Sequence, residues 1–130
     1  MTERKNNIQL KPIAEKKVFS YIGLAAKARK LASGEFSTEK AVKSNKANLV
    51  LVATDASNNT KKMFTNMCTY YDVPIYFFGS KEELGKAIGK ELRASVCLLD
   101  RGLSDVIRVQ LDTMNDGKML DNIVEPNKWR

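Results

Sequence analysis

A glycine and a lysine stand six residues apart at a point where the sequence predicts the start of a helix. Ser33-Gly34 is typical of a turn, and helical spacing follows from about Phe36. The first backbone N–H groups of a helix lack partners within it, so they readily bind anions. Gly34 has no side chain to block a phosphodiester, and Lys40 can reach the same ligand. This arrangement predicts phosphate binding.

The charge around this turn is strongly positive. Residues 16–46 carry eight Lys and Arg against two Glu, whereas residues 47–130 carry eleven of each sign. This concentration and the net charge of +7 favour an anionic partner such as nucleic acid. Lys30 precedes the turn, and Lys43 extends the basic surface beyond Lys40. The other interpretation stays open: Gly34 ends a helix and the lysines form a solvated face.

A second candidate contact is the loop Leu92-Arg93-Ala94, which leads into the last predicted core strand. In a compact sheet we expect this loop to lie beside the Gly34 turn. An arginine at that place can pair with a phosphate or stack on a base. The alternative is an ordinary surface arginine.

The residues that enzymes use are absent or badly spaced. The chain has no histidine, and Cys68 and Cys97 do not have zinc-ligand spacing. It also contains no phosphate-binding loop, nucleophile elbow or Cys-x-x-Cys pair. Asp55 and Asp100 each follow a predicted strand, so they either form a metal or phosphoacceptor pair or cap loops. We expect a protein that is not an enzyme, with no catalytic residue, metal or cofactor.

The elements that must position these residues are helices alternating with buried strands. This order predicts an α/β fold: a three-layer α-β-α sandwich with a mixed, mostly buried sheet of about four strands. Ser80 and Glu83 have the spacing of a capping box and begin a short helix. The other predicted helices are Glu15–Ala32, Phe36–Ser44, Asn59–Tyr71 and Leu103–Asp112, and the strands are Leu31–Ser33, Leu49–Ala53, Ile75–Phe78 and Ala94–Leu99.

The composition predicts one compact domain with two extensions. We expect a flexible arm over residues 1–14, the sandwich domain over 15–113 and a polar tail over 114–130. No apolar run has the length of a membrane span, and the two lone cysteines suit a reducing cytosol. The expectation is a cytoplasmic monomer without membrane attachment.

The order of elements resembles the kink-turn-binding ribosomal protein superfamily, which includes the L7Ae and L30e types. Three segments carry the likeness, together with Ile22-Gly23-Leu24-Ala25 and the Leu92 loop, over about residues 18–111. Ser33-Gly34-Glu35 and Gly23-Leu24-Ala25 are most similar to the small bacterial YlxQ-type branch. The three segments are Gly34 to Ala41, Lys46 to Ser57, and Val73-Pro74-Ile75-Tyr76 with Leu84 to Lys90.

The resemblance implies an α-β-α sandwich that binds structured, kink-turn-like RNA without catalysis, with the ribosome as a candidate partner. Members of the family dock on sharply bent RNA containing tandem sheared G·A pairs. By resemblance, Gly34 approaches the backbone and Lys40 holds a phosphate or base. Phe36 and Ser37 occupy the guanine-reading positions, and the Leu92-Arg93-Ala94 loop covers a flipped-out nucleotide.

Phe36 and Ser37 are the main departure from the family pattern. Many members have Asn-Glu at these two positions, and glutamate accepts hydrogen bonds from guanine, whereas phenylalanine cannot. Loss of such an acceptor costs about 1–3 kcal/mol. Glu35 is a candidate substitute acceptor. The departure also supports an alternative function, a protein-interaction module that has lost RNA binding and uses an exposed Phe36 as a contact.

Overall fold

The computed structural model describes residues 2–114, with side chains from residue 10 onward. Five helices alternate with four short strands. Their bounds are α1 Thr2–Lys27, β1 Leu31–Ser33, α2 Glu35–Lys43, β2 Leu49–Val52, α3 Asn58–Tyr71, β3 Ile75–Phe77, α4 Lys81–Ala87, β4 Ser95–Leu98 and α5 Arg101–Met114.

The four strands form one mixed sheet in the order β1-β4-β2-β3. β4 is antiparallel to both of its neighbours, and β2 is parallel to β3. Helices α1, α4 and α5 pack together on one side, while α2 and α3 pack together on the other. The predicted three-layer sandwich with a mixed, buried sheet is therefore confirmed.

The core lies on both faces of the two central strands. All residues of β2 and β4 are buried, which explains the continuous apolar sequence of β2 and the apolar residues Val96 to Leu98 of β4. Val18 and Ile22 of α1 are buried, as is Phe64 of α3. Burying a side chain of this size contributes about 1.5–3 kcal/mol, so these contacts hold the helices against the sheet.

The first helix begins much earlier than the spacing of apolar residues predicts. α1 starts at Thr2 instead of Glu15, and Pro12 lies inside it. Ala14 is buried in the core, because α1 packs along α5 over much of its length. The boundary expected at residue 15 is therefore not the start of the helix.

The other expected boundary lies at the end of the last helix. Met114 is the final residue of α5 and is buried, so it belongs to the domain and not to the tail. The rest of the predicted tail, residues 115–130, lies outside the described residues. Among the described helices, none combines the length and apolar character that crossing a bilayer requires.

Cys68 and Cys97 are free thiols in the core. Desolvation by burial raises the pKa of each thiol to about 12. The thiolate is the nucleophile that attacks a disulfide reagent, and it is scarce in such a group at pH 8. We expect both thiols to react at least about 100-fold more slowly in the native protein than in denaturant. Timed absorbance with a colorimetric disulfide reagent tests this, and complete reaction of either native thiol at the denatured rate would contradict it.

Candidate nucleic-acid interface

Gly34 forms the turn between β1 and α2 in a conformation that other residues rarely adopt. Its φ is 89° and its ψ is 165°, a region of backbone space that is essentially restricted to glycine. An added Cβ would meet nothing within 4 Å, so the position faces open space. Glycine is therefore required here by the backbone and not by crowding from the protein.

The start of α2 has no side-chain cap. By contrast, Ser57 accepts from an N–H of α3 and Ser80 from an N–H of α4, while Asp100 accepts from the Leu103 N–H in α5. The Gly34 carbonyl accepts only from Thr38 N–H, at 3.0 Å. Within the described residues, the N–H groups of the first three residues of α2 have no hydrogen-bond acceptor. These donors are available to an anion from outside the protein.

Three hydrogen bonds hold the Leu92-Arg93-Ala94 loop beside the Gly34 turn. Gly34 N–H donates to the Ser95 carbonyl at 2.9 Å, and Arg93 Nε donates to Ser33 Oγ at 3.2 Å. Ser95 Oγ and Thr38 Oγ1, both buried, are 3.3 Å apart. The two segments are sixty residues apart in sequence, yet they form one surface, as the sequence predicts.

Leu92 is the exposed end of this loop, with 58% of its surface accessible. Arg93 stabilises the loop with two further hydrogen bonds. Its backbone N–H donates to the Lys81 carbonyl at 3.0 Å, and its Nη1 donates to the Leu92 carbonyl at 2.9 Å. Ala94 is half-buried, and its carbonyl accepts from Ala53 N–H. Arg93 thus orients the loop through its own hydrogen bonds, while Leu92 stays exposed.

The outer face of α2 carries an exposed aromatic ring beside a free cation. Phe36 is 78% exposed, and it lines a surface groove of about 340 Å³ together with Lys40 and Lys43. Lys40 is exposed, and its ammonium has no ion pair or hydrogen bond within the described part of the chain. Lys43 is instead bound to Glu39 at 2.7 Å, and that hydrogen bond raises the pKa of Lys43. Lys40 is therefore the cation of this face that is most available to a phosphate.

The remaining predicted contacts divide between the two ends of the sheet. Glu35 and Ser37 lie exposed in the first turn of α2, next to Gly34. Lys30 precedes β1, so it lies at the opposite end of that strand, where its ammonium is 3.3 Å from Asp100. The structure therefore does not place Lys30 at the Gly34 turn, although both are adjacent in sequence to β1.

Asp55 and Asp100 do not form a site together. They follow β2 and β4, which are antiparallel, so the two carboxylates lie at opposite ends of the sheet. Asp55 accepts from Lys81 N–H at 2.8 Å. The Leu103 N–H and then Lys30 lower the pKa of Asp100. Both are caps, and no cluster of three potential metal ligands occurs among the described residues.

The sequence-based prediction assigns no role at the site to three positioning residues, Ser33, Thr38 and Ser95. A buried serine and threonine inside otherwise apolar or helical segments are the signal that could have indicated them, because buried hydroxyls need partners. Here each hydroxyl contributes to joining β1, α2 and β4 at the Gly34 turn.

Comparisons with known proteins identify the family of this chain. Residues 16–107 match the model of the ribosomal protein L7Ae/L30e/S12e/Gadd45 family. The chain is 43% identical over 94 residues to the RNA-binding protein YlxQ of Bacillus subtilis, covering 72% of this chain and 94% of that protein.

Two solved structures are also similar. A Bacillus halodurans protein of unknown function superposes with a TM-score of 0.71 at 38% identity, covering 74% of this chain and 97% of that one. The Giardia lamblia 15.5kD RNA binding protein, at 21% identity, has a TM-score of 0.66 over 79% of this chain and 88% of that one and supports the fold alone. The chain is a YlxQ-like member of the ribosomal protein L7Ae/L30e/S12e/Gadd45 family.

Proposed function

We propose that this protein binds structured RNA, without catalysis, at the surface formed by the Gly34 turn, the outer face of α2 and the Leu92-Arg93-Ala94 loop. The observation that carries the proposal is the uncapped start of α2, which the hydrogen bond from Gly34 to Ser95 holds beside that loop. The family and the RNA-binding name of the Bacillus subtilis relative support it. We propose the ribosome as one setting and a cytoplasmic monomer as the acting form.

The contacts follow from the chemistry of each group. The free N–H groups after Gly34 bind a phosphate, and the missing side chain lets the RNA backbone approach. Lys40 adds a cation to the same phosphate or to one nearby. Leu92 covers a nucleotide that has left the base stack, because its exposed apolar surface loses water when a base packs on it.

Phe36 and Ser37 determine which base is read. Phe36 has no polar atom in its side chain, and its largely exposed ring offers a stacking surface to any base. Glu35 and Ser37 supply the acceptors of the first turn. We therefore propose a kinked RNA as the target, with weaker dependence on a particular guanine at the Phe36 position than an Asn-Glu pair would give.

Lys40→Ala tests the proposed surface directly. We expect it to weaken binding to a hairpin RNA with a kink closed by tandem sheared G·A pairs by about tenfold, because one phosphate contact is lost. The melting temperature stays unchanged, since the Lys40 ammonium has no partner among residues 2–114. Fluorescence anisotropy at several salt concentrations measures the affinity, and the salt slope decreases by about one.

The matched control is Lys62→Ala, which removes an exposed lysine from α3. Equal losses in the two variants would refute the assignment of Lys40. Equal affinity of the wild-type protein for the kinked hairpin and an unbent duplex would refute the preference for kinked RNA. If the protein binds no RNA at low salt and instead binds another protein through Phe36, the result would support the alternative function, a protein-interaction module.

A further inference from the structure

A second basic surface lies at the end of the sheet opposite Gly34. β1 and β2 begin there and β4 ends there, because β4 is antiparallel to both. The Lys30 carbonyl accepts from Leu99 N–H at 2.8 Å, and Asn48 N–H donates to the Leu98 carbonyl at 2.8 Å, so these connections are adjacent. They carry four exposed cations, called here the opposite-edge cluster: Lys27, Arg29, Lys46 and Arg101.

Two of these connections are tight helix ends. Arg29 and Asn45 adopt left-handed conformations, with φ of 59° and 61°. The next residue in each turn, Lys30 or Lys46, donates its N–H to the carbonyl five residues earlier, at 2.8 and 2.9 Å. This is the hydrogen-bond pattern of a Schellman helix end. The backbone that carries Arg29 and Lys46 is therefore fixed by hydrogen bonds, as a preformed binding surface requires.

The charge at this edge is not neutralised within the described chain. The four cluster side chains form no ion pair or hydrogen bond with any described residue. Lys30 also lies nearby and is paired with Asp100. The other charged groups nearby line a pocket beside Arg101, and they are Asp72, Asp105 and Arg108. Six cations thus face three carboxylates. The proposed RNA surface at Gly34 has only three cations, Lys40, Lys43 and Arg93, against Glu35 and Glu39.

We infer that the opposite-edge cluster binds the phosphate backbone of a second stretch of the RNA that docks at Gly34. This inference rests on the proposed function. The cluster spans the ends of three neighbouring strands, or roughly 10 Å at about 4.8 Å per strand. It has no exposed aromatic residue on which a base could stack, and lysine and arginine are among the side chains that contact phosphates.

The distance between the two surfaces determines the kind of RNA that can reach both. The intervening strands have three or four residues, so the two ends of the sheet are on the order of 10–13 Å apart before the turns are added. Because the two surfaces lie at opposite ends of the sheet, we expect a short kinked hairpin docked at Gly34 to contact only that end. An RNA with longer flanking helices can also pass the opposite end, where it gains the additional phosphate contacts.

The test uses the full chain with two RNAs, a short kinked hairpin and the same hairpin with both flanking helices lengthened. In one variant, glutamine replaces three cluster cations: Lys27→Gln, Arg29→Gln and Lys46→Gln. We expect at least about 100-fold weaker binding of the long RNA, a salt slope smaller by two to three, and unchanged binding of the short RNA, because each lost phosphate contact removes roughly 0.7–0.9 from the slope. The control variant is Lys16→Gln, Lys17→Gln and Lys62→Gln, which removes the same charge from exposed helix faces.

Each outcome has one meaning. The inference is supported if the wild-type protein and the control variant bind the long RNA more tightly than the short RNA, and the cluster variant does not. Equal losses in the cluster and control variants, or a loss that is the same for both RNAs, would overturn it. If the wild-type protein binds neither RNA, the proposed function is refuted instead. If the short RNA binds in a Lys40-dependent way and the cluster variant has no effect, only the second surface is refuted. Equal competition by polyglutamate and by an RNA duplex would overturn the assignment to RNA.

Discussion

Gly34→Ala is expected to weaken binding of the kinked hairpin by more than tenfold, which corresponds to at least about 1.4 kcal/mol. Two effects combine. The added Cβ projects into the open space that the RNA backbone is proposed to occupy. Alanine also rarely adopts the φ of 89° and ψ of 165° that the turn requires. A turn that relaxes away from this conformation also moves the free N–H groups of α2 and the hydrogen bond to Ser95.

The same strain lowers the stability of the fold by about 1–3 kcal/mol, so binding must be measured well below the melting temperature. Ile107→Val is the control for stability. Ile107 is fully buried in α5, outside the proposed surface, and loss of one methyl group there costs about 0.5–1.5 kcal/mol. Lower stability without loss of affinity is expected there. If both variants lose the same affinity, the effect of Gly34 comes from stability and not from contact with RNA.

Gly85→Ala is expected to have the largest effect on stability, a loss of about 3 kcal/mol, or on the order of 10 °C in melting temperature. Gly85 lies in α4, and an added Cβ would come within 1.3 Å of the Glu91 carbonyl oxygen. That oxygen belongs to backbone, so the turn after α4 must move as a whole. The gain in helix propensity, about 1 kcal/mol, does not offset an overlap of this depth.

Gly102→Ala provides the comparison for Gly85. Gly102 also lies in a helix, but its added Cβ is 3.4 Å from Asp100 Oδ2, an ordinary contact. Alanine there is expected to be neutral or stabilising by up to about 1 kcal/mol. Thermal denaturation followed by circular dichroism measures both variants. Equal melting temperatures for Gly85→Ala and the wild type would contradict the close packing of α4 against the Glu91 turn.

Gly85 also connects the stability of the domain to its proposed surface. The Gly85 carbonyl accepts from Lys90 N–H at 2.8 Å, which closes the turn that leads to Leu92. Arg93 N–H then donates to the Lys81 carbonyl. The position of the Leu92-Arg93-Ala94 loop therefore depends on the absence of a side chain at residue 85. A partly folded Gly85→Ala variant is expected to lose RNA affinity together with stability.

Much of the fold can be predicted from the sequence because the decisive signals are local. β2 is a continuous apolar run, β4 is apolar after Ser95, and both strands are buried throughout. Ser80 and Glu83 form the predicted capping box, with each accepting from the other's backbone N–H at 3.0 Å. In a compact sheet the Leu92-Arg93-Ala94 loop is expected to lie beside the Gly34 turn, and in the structure it does.

The distribution of charge could not be predicted in the same way. Residues 16–46 are basic as a group, but β1 and α2 each cross the sheet and separate Lys30 and Lys46 from Gly34. Residues that are close in sequence therefore lie at opposite ends of the domain. The sequence also does not predict the start of α1, because residues 2–14 have few apolar anchors and include Pro12, which usually interrupts a helix.

The hydroxyl contacts at the site depend on tertiary structure. Thr38 lies in a short helix and Ser95 in an apolar strand, and neither segment indicates alone that the two side chains meet. Antiparallel pairing of β1 with β4 brings Ser33 and the start of β4 together, and the hydrogen bonds then follow. Periodicity predicts which face of an element is buried, but it does not predict which polar groups pair across elements.

Mapping the residues that crosslink to RNA in cells tests the central claim most directly. Ultraviolet irradiation followed by RNA purification and mass spectrometry identifies the attached peptides. We expect crosslinks in the segment from Gly34 to Lys40, with Phe36 as the favoured site because its ring is exposed, and in the loop that contains Leu92 and Arg93. Lys40→Ala should reduce their yield and Lys62→Ala should not. Recovery of no RNA, or crosslinks confined to other surfaces, would contradict RNA binding at the Gly34 turn.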